Sequence, residues 1–320
     1  MPIKWKPVLK LTVTIALFAI VLSRVDIGAV SQTIAGADVL PMISALLLAL
    51  AMAVTDAAQW QSVLSSLGHR ISLRTALLYS FVGCFFSVLG PSSVGVDVFR
   101  AAQMRRLGVP TETAVRAVVS TRLVAFVSLL MVIATGLPIA FRFNLTPRDQ
   151  ILLGSTFVAG VCLLSGILLF DPIRNRIPIF RRSTIVAKLA DISKDLGTAL
   201  TSKGYASTSL LYATATHVLR LSTFAALAWA FHAWVGFWAF YALIPISLLV
   251  AMVPITIGSW GVREISVIFF LGLVGVAAAP ALSISVTFGI LRLVMAAIGG
   301  FVWVLVGSHH YNLQVADNSD

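Results

Sequence analysis

Long runs of apolar residues, separated by short polar or charged stretches, make up most of the chain. Six of these runs predict full transmembrane helices, each of which needs roughly 20 apolar residues. They lie at about residues 8–23, 39–54, 113–137, 150–170, 207–231 and 280–306. The second run continues into a more polar turn at 55–67, which carries a tryptophan. Lysines precede the first run, as in a signal peptide, but no small-residue cleavage site follows it, so we expect it to be retained.

Two further apolar stretches are shorter and are broken by proline and glycine. Residues 75–89 run into a break at 90–95, and residues 237–253 run into a break at 254–261. Non-helical backbone at membrane depth is tolerated only where protein surrounds it or where it lines a wet cavity. Each stretch therefore predicts a re-entrant hairpin, which enters and leaves the membrane on one side. The alternative is that proline and glycine merely kink two helices that span fully.

Three short motifs recur in the same order after these two stretches. They are Pro-x-[Ser/Thr]-[Val/Ile]-Gly at 91–95 and 254–258, Gly-Val at 108–109 and 275–276, and Arg-Leu-Val at 122–124 and 292–294. Offsets of 163 to 170 residues between the matched motifs indicate a structural repeat. Repeat one covers about 72–137, and repeat two covers about 237–306.

Composition excludes a soluble globular protein, because only 11% of the 320 residues are charged and 59% are hydrophobic, whereas soluble domains are about 25% charged. The net charge of +11 is better explained by an excess of lysine and arginine in cytoplasmic loops, the positive-inside rule, than by nucleic-acid binding. With re-entrant hairpins and a cytoplasmic N-terminus, sixteen of the 23 basic residues are cytoplasmic, three are outside and four lie within the membrane. Residues 171–205 then form a basic cytoplasmic loop on anionic lipid, with a surface helix at 185–200.

This orientation places both termini in the cytoplasm and makes the repeat inverted, since the first hairpin enters from inside and the second from outside. The predicted fold is an all-α polytopic membrane protein, with about six full spans plus two re-entrant helical hairpins in an inverted repeat. We expect residues 1–320 to form a single integral membrane domain. Paired interrupted segments in inverted halves are typical of a transporter site at the bilayer midplane.

Ionisable residues inside the predicted spans are the candidate functional groups, because charge at that depth is expensive. Arg122, Arg263 and Arg292 are the best candidates, since a guanidinium binds phosphate bidentately. The broken helices add free N–H groups that attract anions. The candidate substrate-binding residues are Pro91, Ser93, Gly95, Asp97, Arg100, Arg122, Pro254, Thr256, Gly258, Gly261, Arg263, Glu264 and Arg292.

Asp97 and Glu264 either pair with Arg122, Arg263 and Arg292 or close the pocket as counter-ions when it is empty. A purely structural role for these charges is the alternative, in which Asp97 pairs with Arg100 and Arg263 pairs with Glu264 to neutralise buried charge. Asp56, His217 and Arg220 are weaker candidates, because the first and last fall near helix ends and a lone histidine on an apolar face is usually a hydrogen-bonded core residue. Tryptophans 60, 229, 234 and 238 fit interfacial belts better than a binding site. Cys84 and Cys162 show no metal-ligand or disulfide spacing, no metal or other cofactor is predicted, and the sequence holds no recognised hydrolase, metalloprotease or nucleotide-binding motif.

Four motifs together resemble a known family. They are Asp56-x-x-Gln59-Trp60, Pro91-x-x-x-Gly95-x-Asp97-x-x-Arg100, Thr121-Arg122-Leu123 and Pro254-x-Thr256-Ile257-Gly258-x-x-Gly261-Val262-Arg263-Glu264. They look like the lysylphosphatidylglycerol synthase transmembrane region, the flippase-like domain family. The resemblance covers nearly the whole chain and implies a bacterial inner-membrane protein with paired re-entrant elements. In multi-domain synthases this region moves a phospholipid to the outer leaflet, and stand-alone members are often linked to polyprenyl-lipid, hopanoid or glycolipid pathways.

The sequence departs from the family pattern at three points. It contains no cytosolic aminoacyl-transferase domain, so lysyl transfer is not expected. Gln59 stands where the family often has arginine. Thr121 and Ala125 stand where it often has acidic residues, which leaves Arg122 with fewer obvious counter-ions.

The function expected from these features is that of an inner-membrane lipid transporter or flippase-like protein, which holds an anionic headgroup in a midplane cavity. Its partners would be anionic phospholipid or polyprenyl-phosphate-linked lipid. One alternative is a non-transporting accessory subunit that presents a lipid to a glycosyltransferase or another lipid-modifying enzyme. A second is an enzyme acting on a lipid in the cavity, which we do not expect because no nucleophile–base pair is evident.

Overall fold

The computed structural model describes residues 25–89, 95–176, 205–253 and 256–306, together with residues 12, 15, 23, 197 and 201. In these ranges the chain forms ten α-helices and no strand. They are α1 (Ile27–Ala35), α2 (Val39–Ser66), α3 (Leu73–Leu89), α4 (Gly95–Arg106), α5 (Thr111–Ala140), α6 (Pro147–Arg176), α7 (Tyr205–Ala230), α8 (Phe237–Ala251), α9 (Val262–Gly272) and α10 (Ala278–Val306).

Four of these helices are long and apolar enough to cross a membrane, namely α2, α5, α6 and α10. Helices α3 and α8 are apolar but shorter. The prediction of an all-α polytopic membrane protein is confirmed. The predicted first span, the surface helix at 185–200, and Pro91, Ser93 and Pro254 lie outside the described residues, as does most of the basic loop. Helix α6 extends to Arg176, several residues into the segment that was predicted as loop.

The link predicted between the first two spans contains α1. Asp26 caps this helix, because its Oδ1 accepts hydrogen bonds from the backbone N–H groups of Gly28 at 2.8 Å and Ala29 at 3.2 Å. No residue of α1 is buried, although the helix packs against α10.

Each predicted break separates two short helices that pack against each other, α3 against α4 and α8 against α9. In the first pair the backbones come close at Gly95, where an added Cβ would lie 2.5 Å from the carbonyl oxygen of Phe86. In the second pair the chain turns through left-handed backbone, with φ of 61° at Gly258 and 85° at Gly261. These are helical hairpins; their re-entrant placement in the bilayer stays a prediction.

The hairpins pack reciprocally on the long helices of the opposite half. Helix α3 lies against α10, and α8 lies against α5, while α2 and α7 form the most extensive helix pair. Buried apolar side chains fill both regions, with Trp60, Tyr79 and Phe99 in one core and Phe224 and Phe240 in another. A two-fold relation between the halves would produce this arrangement.

The two halves share one register. Helices α4 and α9 begin 167 residues apart, and so do α5 and α10. The turns after α4 and α9 are alike: Gly108 and Gly275 have φ of 80° and 87°. In this register Asp97 corresponds to Glu264. Arg292 corresponds to Ala125 and lies one helical turn beyond the equivalent of Arg122.

We expect Gly299→Ala to destabilise the protein by about 1–3 kcal/mol, the usual cost of overpacking. A Cβ at Gly299 on α10 would lie far inside contact distance of the backbone oxygen of Phe81 on α3, so the two helices must separate. Thermal unfolding in detergent measures the effect. Gly166→Ala on α6 is the control, since no atom lies within 4 Å of its Cβ position. Equal unfolding temperatures for the two variants would contradict the close approach of α3 and α10.

Candidate functional site

Arg100 is the centre of a buried cluster in the first half. Its Nη2 donates to Oδ2 of Asp56 at 2.6 Å and to Oγ of Ser80 at 2.6 Å. Its guanidinium carbon lies 4.8 Å from the ring centre of Trp60, and its side chain is only 3% exposed. Helices α2, α3 and α4 thus meet around one guanidinium, with an acceptor from α2, another from α3 and an aromatic face.

Asp97 pairs with Arg122 and not with Arg100, so the predicted Asp97–Arg100 pair is wrong. Arg122 of α5 donates to Oδ2 of Asp97 through Nε at 2.9 Å, and its Nη2 lies 2.8 Å from the same oxygen. Asp97 is thus the counter-ion of Arg122, one of the pairings that the sequence left open. The Asp97 side chain is 9% exposed but that of Arg122 is 57% exposed, so much of this guanidinium remains accessible.

Arg263 is the centre of a second buried cluster, and here the predicted pair with Glu264 is present. Oε1 of Glu264 accepts from Nε of Arg263 at 3.0 Å and from Nη2 at 2.5 Å. Ser285 of α10 lies 3.3 Å from Nε, and the ring centre of Trp260 is 4.6 Å from the guanidinium carbon. The side chains of Arg263 and Glu264 are 3% and 0% exposed.

Glu264 also closes the N-terminus of α9, because its Oε2 accepts the backbone N–H of Gly261 at 2.6 Å. A carboxylate in the first turn is favourable at a helix N-terminus. The sequence suggested that this terminus attracts an external anion, but the chain's own carboxylate occupies it. The arginines, rather than the α9 terminus, are therefore the groups left to bind a ligand.

The two clusters use the same four residue types, since each contains an arginine, a carboxylate, a serine and a tryptophan. Trp60 is fully buried beneath Arg100, so its prediction as an interfacial residue is wrong. Trp229, Trp234 and Trp238 are all more than 40% exposed, in keeping with the belt positions predicted for them.

Arg220 and Arg292 form no ion pair with a carboxylate anywhere in the described ranges. Nη1 of Arg220 lies 3.4 Å from Nδ1 of His217, whose Nε2 lies 3.0 Å from the carbonyl oxygen of Ala125. Arg292 is exposed and stands at the midpoint of α10. A guanidinium without a counter-ion at the middle of a span is costly unless a ligand or water surrounds it.

Arginines of both halves share one electrostatic neighbourhood. Asp56 interacts with Arg122 and Arg220 as well as with its partner Arg100. Arg292 interacts with Arg122 and Arg220 and also with Arg263 of the second cluster. The geometry agrees for Arg220 and Arg292, because α7 packs on α10 and Phe224 stacks on Phe288, one turn from each arginine, with ring centroids 4.5 Å apart.

The remaining candidate residues form the break itself. Gly258 and Gly261 supply its left-handed turns, and Gly95 supplies the close approach in the first hairpin. Thr256 is buried, and its hydroxyl has no hydrogen-bond partner in the described part of the chain.

Sequence reasoning underrated Asp56 and Arg220. Both were placed near helix ends. Helix α2, however, continues to Ser66, so Asp56 lies within about a turn of its midpoint. Arg220 lies within about a turn of the midpoint of α7, whose bounds agree with the predicted span. The rule that ionisable residues within spans are functional candidates therefore applies to both. Ser80 and Ser285 gave no signal, because single serines are common in apolar helices.

Comparison with known proteins gives one family match. The family model described as the lysylphosphatidylglycerol synthase TM region matches residues 8–300. No curated protein matches significantly.

We expect opposite effects on stability from replacing Arg263 and Arg292. Arg263→Met leaves Glu264 buried without its partner and should cost about 3–5 kcal/mol. Arg292→Met removes a charge that has no counter-ion, so it should leave the lipid-free protein as stable as before or more stable. Unfolding of delipidated protein in detergent measures both, with exposed Arg148→Met as the control.

The double variant Arg263→Met/Glu264→Gln should regain part of the stability, because no uncompensated charge remains. A loss of stability in Arg292→Met as large as that in Arg263→Met would show that Arg292 is a structural residue.

Proposed function

Since the chain belongs to the family of the lysylphosphatidylglycerol synthase TM region, we propose that this membrane protein is a flippase-like lipid transporter. It binds the anionic headgroup of a membrane lipid at the depth where its two helical hairpins and long helices meet. The acyl or prenyl tails stay in the bilayer. Binding and movement involve no covalent chemistry.

The observation that carries this proposal is the pair of arginines without a carboxylate ion pair in the described chain, Arg220 and Arg292, together with the exposed Arg122. Evolution retains charge at the centre of a span where it serves a substrate or ion. A guanidinium offers a planar fork of donors that matches two phosphate oxygens. A headgroup phosphate would therefore supply the counter-charge that the described chain lacks.

The surroundings of Arg292 suit a lipid better than a soluble anion. Its neighbours on α10, Ile290, Leu293 and Val294, are each 38–45% exposed. Apolar side chains exposed beside a mid-span charge form a surface on which hydrocarbon tails can lie while the headgroup contacts the guanidinium. The ligand that fits is amphiphilic.

The reciprocal packing of the hairpins supports movement of the bound lipid. In transporters with inverted repeats, substrates bind at the interface of the halves, between discontinuous helices. Here α3 packs on α10 and α8 packs on α5, so each hairpin borders the long helix of the other half. We place the protein in a bacterial inner membrane with both termini in the cytoplasm, as the distribution of basic residues favours.

Translocation in liposomes tests the proposal. Purified protein is reconstituted with fluorescent anionic and zwitterionic lipids, and outward headgroups are reduced chemically. We expect translocation of anionic lipid to fall about tenfold to a hundredfold in Arg292→Met, since a hydrogen bond to a charged group contributes roughly 1.5–3 kcal/mol. Arg148 is exposed in the first turn of α6, so the Arg148→Met variant should translocate lipid as the unmodified protein does.

Equal translocation by folded Arg292→Met and by the unmodified protein would overturn the proposed role of this site. Absence of translocation by any well-folded preparation would favour the accessory role, in which the protein presents a lipid to another enzyme. That role predicts a stable complex with a lipid-modifying enzyme or glycosyltransferase, which affinity purification from membranes would detect.

A further inference from the structure

The balance of charge at the candidate site is uneven. Three carboxylates and five arginines lie in the connected neighbourhood, at Asp56, Asp97 and Glu264 and at Arg100, Arg122, Arg220, Arg263 and Arg292. Each carboxylate has one arginine within 4 Å. Two positive charges are therefore left over among the apolar helices of the described chain.

The two surplus charges can be assigned to particular residues. Arg100, Arg122 and Arg263 hold the three carboxylates, so the surplus belongs to Arg220 and Arg292. The helices that carry them pack together, and Phe224, one turn after Arg220, stacks on Phe288, one turn before Arg292, with ring centroids 4.5 Å apart. Arg220 is oriented by His217, which accepts from it and is itself held against the Ala125 carbonyl. The surplus is thus a pair of guanidinium groups on the adjacent helices α7 and α10.

We infer that the headgroup recognised by this pair is a phosphate monoester carrying two negative charges, rather than a phosphodiester carrying one. A monoester bears about −1.5 to −2 at neutral pH and has three terminal oxygens that accept hydrogen bonds. Two arginine forks need at least three acceptor oxygens if each is to be held bidentately with one oxygen shared. A diester has two such oxygens and leaves one positive charge uncompensated.

This inference rests on the proposed function and specifies its substrate class. Lipids with this chemistry carry a terminal phosphate on a hydrocarbon body, as phosphatidate and polyprenyl monophosphates do. Free inorganic phosphate shares the same chemistry, but it would make no use of the apolar surface beside Arg292. The experiment therefore compares a lipid monoester, a lipid diester and inorganic phosphate.

Phosphatidate and phosphatidylmethanol form a matched pair of probes, because one methyl ester removes one charge and one terminal oxygen and changes little else. Native mass spectrometry of the purified chain, loaded with an equimolar mixture of the two, measures which lipid is retained. We expect phosphatidate to be retained with about a tenfold preference, as one extra charged hydrogen bond implies.

Arg220→Met and Arg292→Met should each reduce that preference to about twofold, while Arg148→Met should retain it. Arg292→Lys keeps the charge but loses the fork, so it should show an intermediate preference. A preference that is the same in Arg292→Met as in the unmodified chain would show that the discrimination arises elsewhere and would overturn the assignment.

The two native cysteines provide a second measurement that needs no change at the arginines. Cys84 of α3 is half-buried and lies one helical turn after Ser80, whose hydroxyl accepts a hydrogen bond from Arg100. Cys162 of α6 is exposed. A Cys162→Ser protein reports on Cys84 alone, and a Cys84→Ser protein reports on Cys162 alone.

Phosphatidate should slow maleimide labelling of Cys84 in lipid nanodiscs, and phosphatidylmethanol at the same mole fraction should slow it much less. Labelling of Cys162 should respond to neither lipid. Equal protection by both lipids would overturn the monoester inference and leave the proposed lipid binding intact. No protection and no retention of any lipid would overturn both. Protection by millimolar inorganic phosphate alone would show that the dianion is soluble and not a lipid.

Discussion

The cost of burying a guanidinium among apolar helices constrains this structure more than any other feature. Arg100 and Arg263 are stabilised in the same way, since each guanidinium contacts a carboxylate, a serine hydroxyl and the face of a tryptophan ring. Each set of partners comes from more than one helix, so satisfying the charge fixes how those helices pack. The first hairpin contacts α2 through the Arg100–Asp56 ion pair, and the second hairpin contacts α10 through the hydrogen bond from Arg263 to Ser285.

The two halves reach this solution through different connections. In the first half the ion pairs join α4 to α2 and to α5, through Asp56 and Asp97. In the second half the ion pair lies between neighbouring residues of α9. Within the described chain, ionic contacts therefore tie the first hairpin to the long helices, while the second hairpin carries its own neutral pair. A difference of this kind allows the two hairpins to respond unequally to a charged ligand.

Arg292 differs from the other arginines of the site because no side chain or carbonyl of the described chain hydrogen-bonds to it, whereas Arg220 at least contacts His217. Its equivalent position in the first half is Ala125, whose carbonyl is instead used to hold His217 and, through it, Arg220. The repeat thus places neutral residues and charged residues at equivalent positions, and the symmetry is broken where the ligand would bind. An asymmetric site suits a lipid, since one end of the ligand is ionic and the other is hydrocarbon.

The sequence by itself determined the apolar helices and the breaks between them, because helix length and hydrophobicity are local properties. It predicted both helical hairpins and placed α3, α5, α7, α8 and α10 within a few residues of their observed ends, whereas it ended α2 too early. Only the tertiary structure decided which carboxylate serves which arginine. Asp56 and Arg100 are 44 residues apart and Asp97 and Arg122 are 25 apart, on different helices. Their pairing depends on how the helices pack, and that packing is a property of the whole chain.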